Sequence, residues 1–80
     1  MTNKEYISSL NSKDFALVVD DIMFQCLRNV LLLKHSNLDA DKKRYVMFEE
    51  AAKEAGFTDM DNLGIFEFYK WLEEEYNESN

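Results

Sequence analysis

The sequence predicts an all-α fold, a single domain over residues 1–80 with about four helices packed around a long second helix. The chain has no proline and two glycines in 80 residues, a composition that argues against a turn-rich β fold. Apolar side chains recur three and four residues apart in successive stretches, as they do on amphipathic helices. The polar breaks between these stretches are as short as the connections of a small bundle, so no second domain is expected.

The first predicted helix covers residues 3–10. Thr2 and Glu5 form the pattern of a capping box, in which the threonine hydroxyl and the glutamate carboxylate each bond a backbone N–H of the other residue. The spacing of Tyr6, Ile7 and Leu10 then turns these three side chains towards the interior.

The second predicted helix covers residues 12–36, with Ser12 as its N-cap. It is apolar around most of its circumference, and a helix of this kind is normally buried on most sides. Asp20 is the exception, because it falls inside the apolar arc. We expect it either to be solvated at a rim or bonded to nearby backbone, or to make a specificity contact at a protein interface. A catalytic role is the weakest interpretation, since no second acid, base or ligand set accompanies it.

The third predicted helix covers residues 40–55, with Asn37 or Asp39 as its cap. Gly56 is expected just past its end in the left-handed conformation, with Phe57 folding back as the apolar companion of that turn. The inward face of this helix is predicted to hold Tyr45, Phe48, Ala51, Ala52 and Ala55.

The fourth predicted helix covers residues 62–76, and Thr58, Asp59 and Asp61 are its candidate caps. Phe66 and Trp71 fall outside its main apolar stripe. A strand over residues 65–71 is the alternative, given its aromatic side chains, but the helical period fits better. The stripe itself is predicted to hold Ile65, Phe68, Tyr69, Leu72 and Tyr76.

No pattern of catalytic, cofactor-binding or metal-binding residues is found, so the sequence predicts a non-enzymatic protein without a cofactor. Cys26 and His35 are the one cysteine and the one histidine, which is too few for a structural zinc site or an intramolecular disulfide. Cys26 is predicted to be a small core residue. The two glycines form no phosphate-binding loop.

The net charge of −7 is concentrated at one end of the chain. Residues 58–80 hold seven of the 16 acidic side chains and one of the nine basic ones. Direct binding of nucleic acid is not expected, because it needs clustered Lys and Arg. An acidic end suits a basic protein partner, or serves solubility alone. Residues 1–10 lack the apolar core of a signal peptide and no stretch is long enough to span a membrane, so we expect a cytoplasmic protein.

Two surfaces are candidates for binding a partner. The first, here called the acidic surface, would face a basic protein, and a nucleic-acid-binding host enzyme is one such partner. It comprises Asp59, Asp61, Glu67, Trp71, Glu73, Glu74 and Glu75. The second, here called the apolar seam, would join two copies of the chain or lie under the first and fourth helices. It comprises Leu17, Asp20, Phe24, Leu27 and Leu31.

The two ends of the chain carry a resemblance. MTNKEYI at residues 1–7 and WLE at residues 71–73 resemble small acidic proteins of phages and mobile elements of low-GC Gram-positive bacteria. Those proteins often begin MTN-x-EY and end in an acidic segment with a WL pair. The resemblance implies an inhibitor of a host enzyme or defence system, anti-CRISPR proteins among them, acting in the host cytoplasm. It carries over no residue role and no metal site, because those proteins often have several cysteines where this chain has one.

The leading hypothesis is therefore a protein-binding inhibitor or regulator that acts through the acidic surface on a basic, nucleic-acid-handling host protein. One alternative is a small structural or homodimerisation module that acts through the apolar seam. Another is an immunity or antitoxin-type protein, which the same size and charge would suit.

Overall fold

A computed structural model of the protein describes residues 1–57 and 63–77, and it shows a small bundle of four helices. The helices are α1 (Asn3–Ser8), α2 (Ser12–Lys34), α3 (Asp39–Glu54) and α4 (Leu63–Glu73). The predicted all-α fold is confirmed, and the strand considered for residues 65–71 is wrong. The helix bounds differ from the predicted ones by a few residues, as helix ends commonly do.

The start of α1 is fixed by the predicted capping box. The backbone N–H of Glu5 donates to the Thr2 hydroxyl at 3.2 Å, and the Thr2 N–H donates to the Glu5 carboxylate at 2.8 Å. Two of the N–H groups that a helix start leaves unpaired are thereby satisfied. Ile7 is buried, whereas Tyr6 and Leu10 are half-buried at the edge of the core.

The N-cap of α2 is Asn11, so the prediction of Ser12 is wrong by one residue. The side-chain oxygen of Asn11 accepts from the backbone N–H of Asp14 at 2.8 Å, and its amide donates to the Asp14 carboxylate at 3.0 Å. Ser12 is the first helical residue. Asn and Ser are nearly equal as caps, and the second bond to Asp14 favours the asparagine.

The start of α3 also differs from the prediction, because neither Asn37 nor Asp39 caps it. Leu38 occupies the N-cap position, and no side-chain bond caps the helix there. The hydroxyl of Ser36 accepts from the Leu38 N–H at 3.1 Å and donates to the Asp41 carboxylate at 2.7 Å. This serine holds the turn in place of a conventional cap.

The end of α3 has the predicted glycine turn. Gly56 has a φ of 95°, a conformation that costs other residues more than glycine. Its N–H donates to the Lys53 carbonyl at 3.0 Å, and the Phe57 N–H donates to the Ala52 carbonyl at 2.8 Å. These two bonds define a Schellman motif, and Phe57 packs against the core as its apolar companion.

The core lies where α2, α3 and α4 meet, and Phe66 is at its centre. The Phe66 ring lies 5.1 Å from that of Phe48 and 5.4 Å from that of Phe57, between centroids. The sequence placed Phe66 off the inward stripe, and this was wrong: it is buried, whereas Ile65 and Tyr69 are 45% and 42% exposed. The helix is apolar on most sides, so its period does not select the buried face. The buried cluster comprises Val30, Ala52, Leu63 and Phe66.

The inward face of α3 is narrower than predicted. Ala52 is fully buried, but Ala51 and Ala55 are exposed. Tyr45 and Phe48 pack at the edge of the core, as expected. Of the three alanines predicted to face inward, only Ala52 is therefore part of the core.

The first helix is joined to the end of the fourth. The Asn3 side-chain amide donates to the Trp71 carbonyl at 2.7 Å, and the Asn3 N–H donates to the Glu74 carbonyl at 2.8 Å. The rings of Tyr6 and Tyr76 stack with centroids 3.9 Å apart. Carbonyls at the end of α4 that a helix leaves unpaired thus find donors at the start of α1.

The second helix is the centre of the bundle, since it contacts α1, α3 and α4. Its burial is one-sided. Cys26 and Val30 are its buried residues, and much of the rest of its apolar arc faces outward. That exposed side holds the candidate site.

Candidate protein-binding surfaces

The apolar seam is exposed along the outer side of α2. The exposed fractions of its apolar residues run from 42% for Leu31 to 66% for Phe24. Of the two predicted possibilities, burial under the first and fourth helices is therefore wrong for this surface. Leu27 lies against Gly64 at the start of α4, and it is still half exposed.

The sequence produces two apolar stripes on one helix. Seam positions 17, 20, 24, 27 and 31 alternate steps of three and four residues, so they form a single line along α2. Cys26 and Val30 lie on the opposite side and face the core. The core uses one stripe, and the other is left on the surface.

Two depressions run along the seam and share Phe24 and Leu27. The one towards the end of α2 has a volume of about 680 Å³, and its other lining residues are Arg28, Leu31, Leu32, His35, Ser36 and Asp41. The one towards the start of α2 has a volume of about 410 Å³, and its other lining residues are Asp20, Met23, Gly64 and Ile65. They adjoin at these two shared residues, and the two depressions together are here called the groove.

Each half of this groove has one charged side chain of α2 beside Phe24. Asp20 lies four residues before Phe24 and Arg28 lies four residues after it, and both are exposed. The placement of Asp20 fits the predicted rim position. A contact with a partner, the other interpretation of Asp20, stays a prediction.

The acidic surface is only partly within the described residues, because Asp59 and Asp61 lie outside them. Glu67 is half-buried and pairs with Lys70, whose Nζ lies 3.6 Å from its carboxylate. Trp71 is half-buried and stacks against Phe68 with ring centroids 5.9 Å apart. The remaining three members, Glu73, Glu74 and Glu75, are exposed.

The acids at the end of α4 have compensating groups within the chain. The backbone ammonium of Met1 lies 2.7 Å from the Glu75 carboxylate. The start of α1, where a helix carries partial positive charge, lies against the same end of α4. Glu67 also lines a shallow depression with Arg44 and Lys70. The acidic surface is thus interrupted by positive groups.

Cys26 is a core residue, as predicted. Its side chain is 5% exposed. Burial raises the pKa of the thiol, and the carboxylates of Glu67 and Glu74 raise it further. A thiol with a raised pKa stays protonated at neutral pH and is a poor nucleophile.

These features together define a small all-α bundle protein with an exposed apolar helix face. No family model, curated protein or solved structure matches the chain. Within residues 1–57 and 63–77, no helix has both the length and the apolar character needed to cross a membrane. Over those same residues, the His, Cys, Asp and Glu side chains form no group that could hold a metal ion.

Proposed function

We propose that the chain is a non-enzymatic protein-binding module, and that its apolar seam receives an amphipathic helix of the partner. One observation carries this proposal: Leu17, Phe24, Leu27 and Leu31 form a continuous exposed line on a regular helix. Contiguous exposed apolar surface of this kind marks protein interaction sites in soluble proteins. A helix laid in an apolar groove is one of the recurring modes of recognition.

The geometry of the seam defines what its partner must look like. At 1.5 Å per residue, the seam from Leu17 to Leu31 is about 21 Å long, so it matches a partner helix of about four turns. The partner needs an apolar stripe to cover Phe24 and Leu27. It also needs a cation facing Asp20 and an anion facing Arg28, because both charges border that stripe.

The resemblance to phage and mobile-element proteins adds a setting to this proposal. A small binding module in that setting acts as an inhibitor or regulator of a host protein. The exposed seam supplies a surface for such binding, and the proposal does not depend on which host protein is the target.

A site-directed crosslink tests the binding surface. Phe24 is replaced by the photoreactive amino acid benzoylphenylalanine, which resembles it in shape, and the cells that express the protein are irradiated. We expect one discrete adduct whose mass identifies either another protein or a second copy of the chain. Adding Leu31→Glu should suppress this adduct, because a carboxylate in the seam opposes apolar contact.

Met47 provides the matched control. It is an apolar residue, 68% exposed, on α3 and outside the groove along α2. The same photoreactive group at position 47 should give no discrete adduct. Equal adducts at positions 24 and 47, or an adduct at 24 that survives Leu31→Glu, would show that the seam is not the binding surface.

The acidic surface supports a second candidate function, an inhibitor that binds a basic nucleic-acid-handling protein. The observation in its favour is that Glu73, Glu74 and Glu75 are exposed together. The Glu73→Lys/Glu74→Lys variant tests it and keeps the pairing of Glu75 with the Met1 ammonium. Loss of a basic partner by this variant, with thermal stability unchanged, would favour the acidic surface. Capture of the same partner by both forms would exclude it.

A further inference from the structure

We infer that the helix occupying the apolar seam is α2 of a second copy of this chain, packed antiparallel, so that the protein is a homodimer. This inference rests on the proposed function, since it names the partner of the same surface. Three features support it: the order of charges along α2, the symmetric arrangement of four of its positions about Phe24, and the groove that extends to both sides of that residue.

The charges along α2 are divided between its two halves. The acids all come before the midpoint, and the later half carries bases. Lys13, in the first turn, is the exception. Two copies packed in parallel would set like charges against each other, whereas an antiparallel pair sets acids against bases. The acids are Asp14, Asp20 and Asp21, and the later basic or titratable residues are Arg28, Lys34 and His35.

Four positions of α2 are arranged symmetrically about Phe24. Asp20 and Arg28 each lie four residues from it, and Leu17 and Leu31 each lie seven residues from it. A two-fold axis through Phe24 therefore places ring on ring and Leu17 against Leu31 of the second copy, and it sets Asp20 at the same height along the pair as Arg28 of the second copy. Such a self-complementary patch is what a two-fold dimer interface requires. It also explains an aspartate within an apolar line, because each Asp20 then has a cation of the second copy at its own height along the pair.

The groove matches this arrangement at both ends. The depression beside Asp20, of about 410 Å³, would receive Leu31 of the second copy. The depression beside Arg28, of about 680 Å³, would receive Leu17 of the second copy. Both leucines are exposed in the single chain and would lose that exposure in the pair. Asp41 also lines the depression beside Arg28. Its carboxylate is already paired with Arg44 at 3.3 Å, so Arg28 stays available to Asp20 of the second copy.

Complementary charge reversals test the inference by sedimentation velocity or mass photometry over a range of concentrations. The native protein should be a dimer. Asp20→Arg and Arg28→Asp should each weaken dimerisation by roughly 100-fold or more, because each change occurs twice and replaces attraction by like-charge repulsion. Both side chains are exposed, so the variants should fold as the native chain does.

The most informative measurement is the oligomeric state of a 1:1 mixture of the two single variants. One variant presents two arginines and the other two aspartates, so the antiparallel arrangement predicts that a 1:1 mixture forms a heterodimer. The Asp20→Arg/Arg28→Asp double variant should likewise recover the homodimer. A dimer that tolerates either single reversal, or a mixture that stays monomeric, would overturn the inference.

The experiments distinguish a wrong homodimer from a wrong binding surface. A native chain that stays monomeric at high micromolar concentration, yet forms a crosslink from position 24 to another protein, would overturn the homodimer and keep the binding surface. A native dimer that gives no crosslink from position 24 would move the interface away from the seam and overturn both.

Discussion

Replacing either glycine of the chain by alanine should change the free energy of unfolding, and the two changes should have opposite signs. Gly56 lies in the turn after α3 with a φ of 95°, and Gly64 lies in the first turn of α4. At Gly56 an added Cβ would have no heavy atom of the described residues within 4 Å, so the expected effect there is backbone strain. At Gly64 an added Cβ would lie 3.5 Å from Leu27 Cδ1, an ordinary van der Waals contact.

The magnitudes follow from these surroundings. Gly64→Ala reduces the freedom of the unfolded chain without strain, so we expect a gain of about 0.4–1 kcal/mol in the free energy of unfolding. Gly56→Ala forces a side chain into the left-handed region and should cost about 1–2 kcal/mol. For a domain of this size, 1 kcal/mol shifts Tm by about 4–8 °C. The two variants should therefore melt on opposite sides of the native protein.

Thermal and urea unfolding followed by circular dichroism measure both changes. The proteins are compared at one low concentration, because Gly64 borders the seam and self-association would raise apparent stability. Gly56→Asn serves as the control for backbone strain, since asparagine tolerates the left-handed region and should recover part of the loss. A loss of stability in the Gly64→Ala variant would refute the described contact distance between α4 and Leu27. A Gly56→Ala variant as stable as the native protein would refute the Schellman turn.

Three further predictions concern single polar groups. Asn3→Ala should cost about 1–2 kcal/mol in the free energy of unfolding, because it removes the bond to the Trp71 carbonyl; a change within error would show that this side-chain bond adds nothing to the α1–α4 junction. Tyr45→Phe should leave stability unchanged or raise it, because the buried hydroxyl has no hydrogen-bond partner within residues 1–57 and 63–77. Burial, followed by a neighbouring carboxylate, raises its pKa; a loss above about 1 kcal/mol would contradict this prediction. Hydrogen bonds from the backbone and hydroxyl of Thr2 lower the pKa of Glu5 from its ordinary value of 4.5, so its contribution to stability is present above that value and is lost as pH falls through the lowered pKa. Glu5→Gln should flatten stability against pH in this acid range, as urea unfolding at several pH values would show; an unchanged slope would sink the idea.

The local signals in the sequence account for much of the fold. The capping box at Thr2 and the glycine turn at Gly56 are both as predicted, because each depends on a few adjacent residues. The cap of α2 was misplaced because Asn11 and Ser12 are adjacent and nearly equivalent caps. Local chemistry thus fixes where the helices begin and end to within a few residues.

The orientation of the helices was harder to predict. On α4, Phe66 faces the core and Ile65 does not, although both are large and apolar. The choice is made by the rings of Phe48 and Phe57, which lie on α3 and in the turn after it and pack against Phe66. The spacing of apolar residues along one helix does not show which side chains of other segments will pack against it.

The residues of the candidate site could be predicted from the sequence, but whether they are buried or exposed could not. The line from Leu17 to Leu31 was visible as excess apolar surface, and both a buried and an exposed location fitted it. The structure places it outside because the core is built on the side of α2 that holds Cys26 and Val30. The symmetry of Asp20 and Arg28 about Phe24 was present in the sequence and acquired meaning only once that side was found to be exposed.

The junction between α1 and α4 has a consequence for the order of folding. It joins Asn3 to Trp71 across 68 positions, and closing a loop of that length has an entropic cost of about 4 kcal/mol. The six-residue α1 is too short to be helical in isolation, so it gains structure by docking on an α4 that is already in place. The first segment of the chain is therefore the last to fold, and the backbone amide of Asn3 should become protected from hydrogen exchange after those of α2.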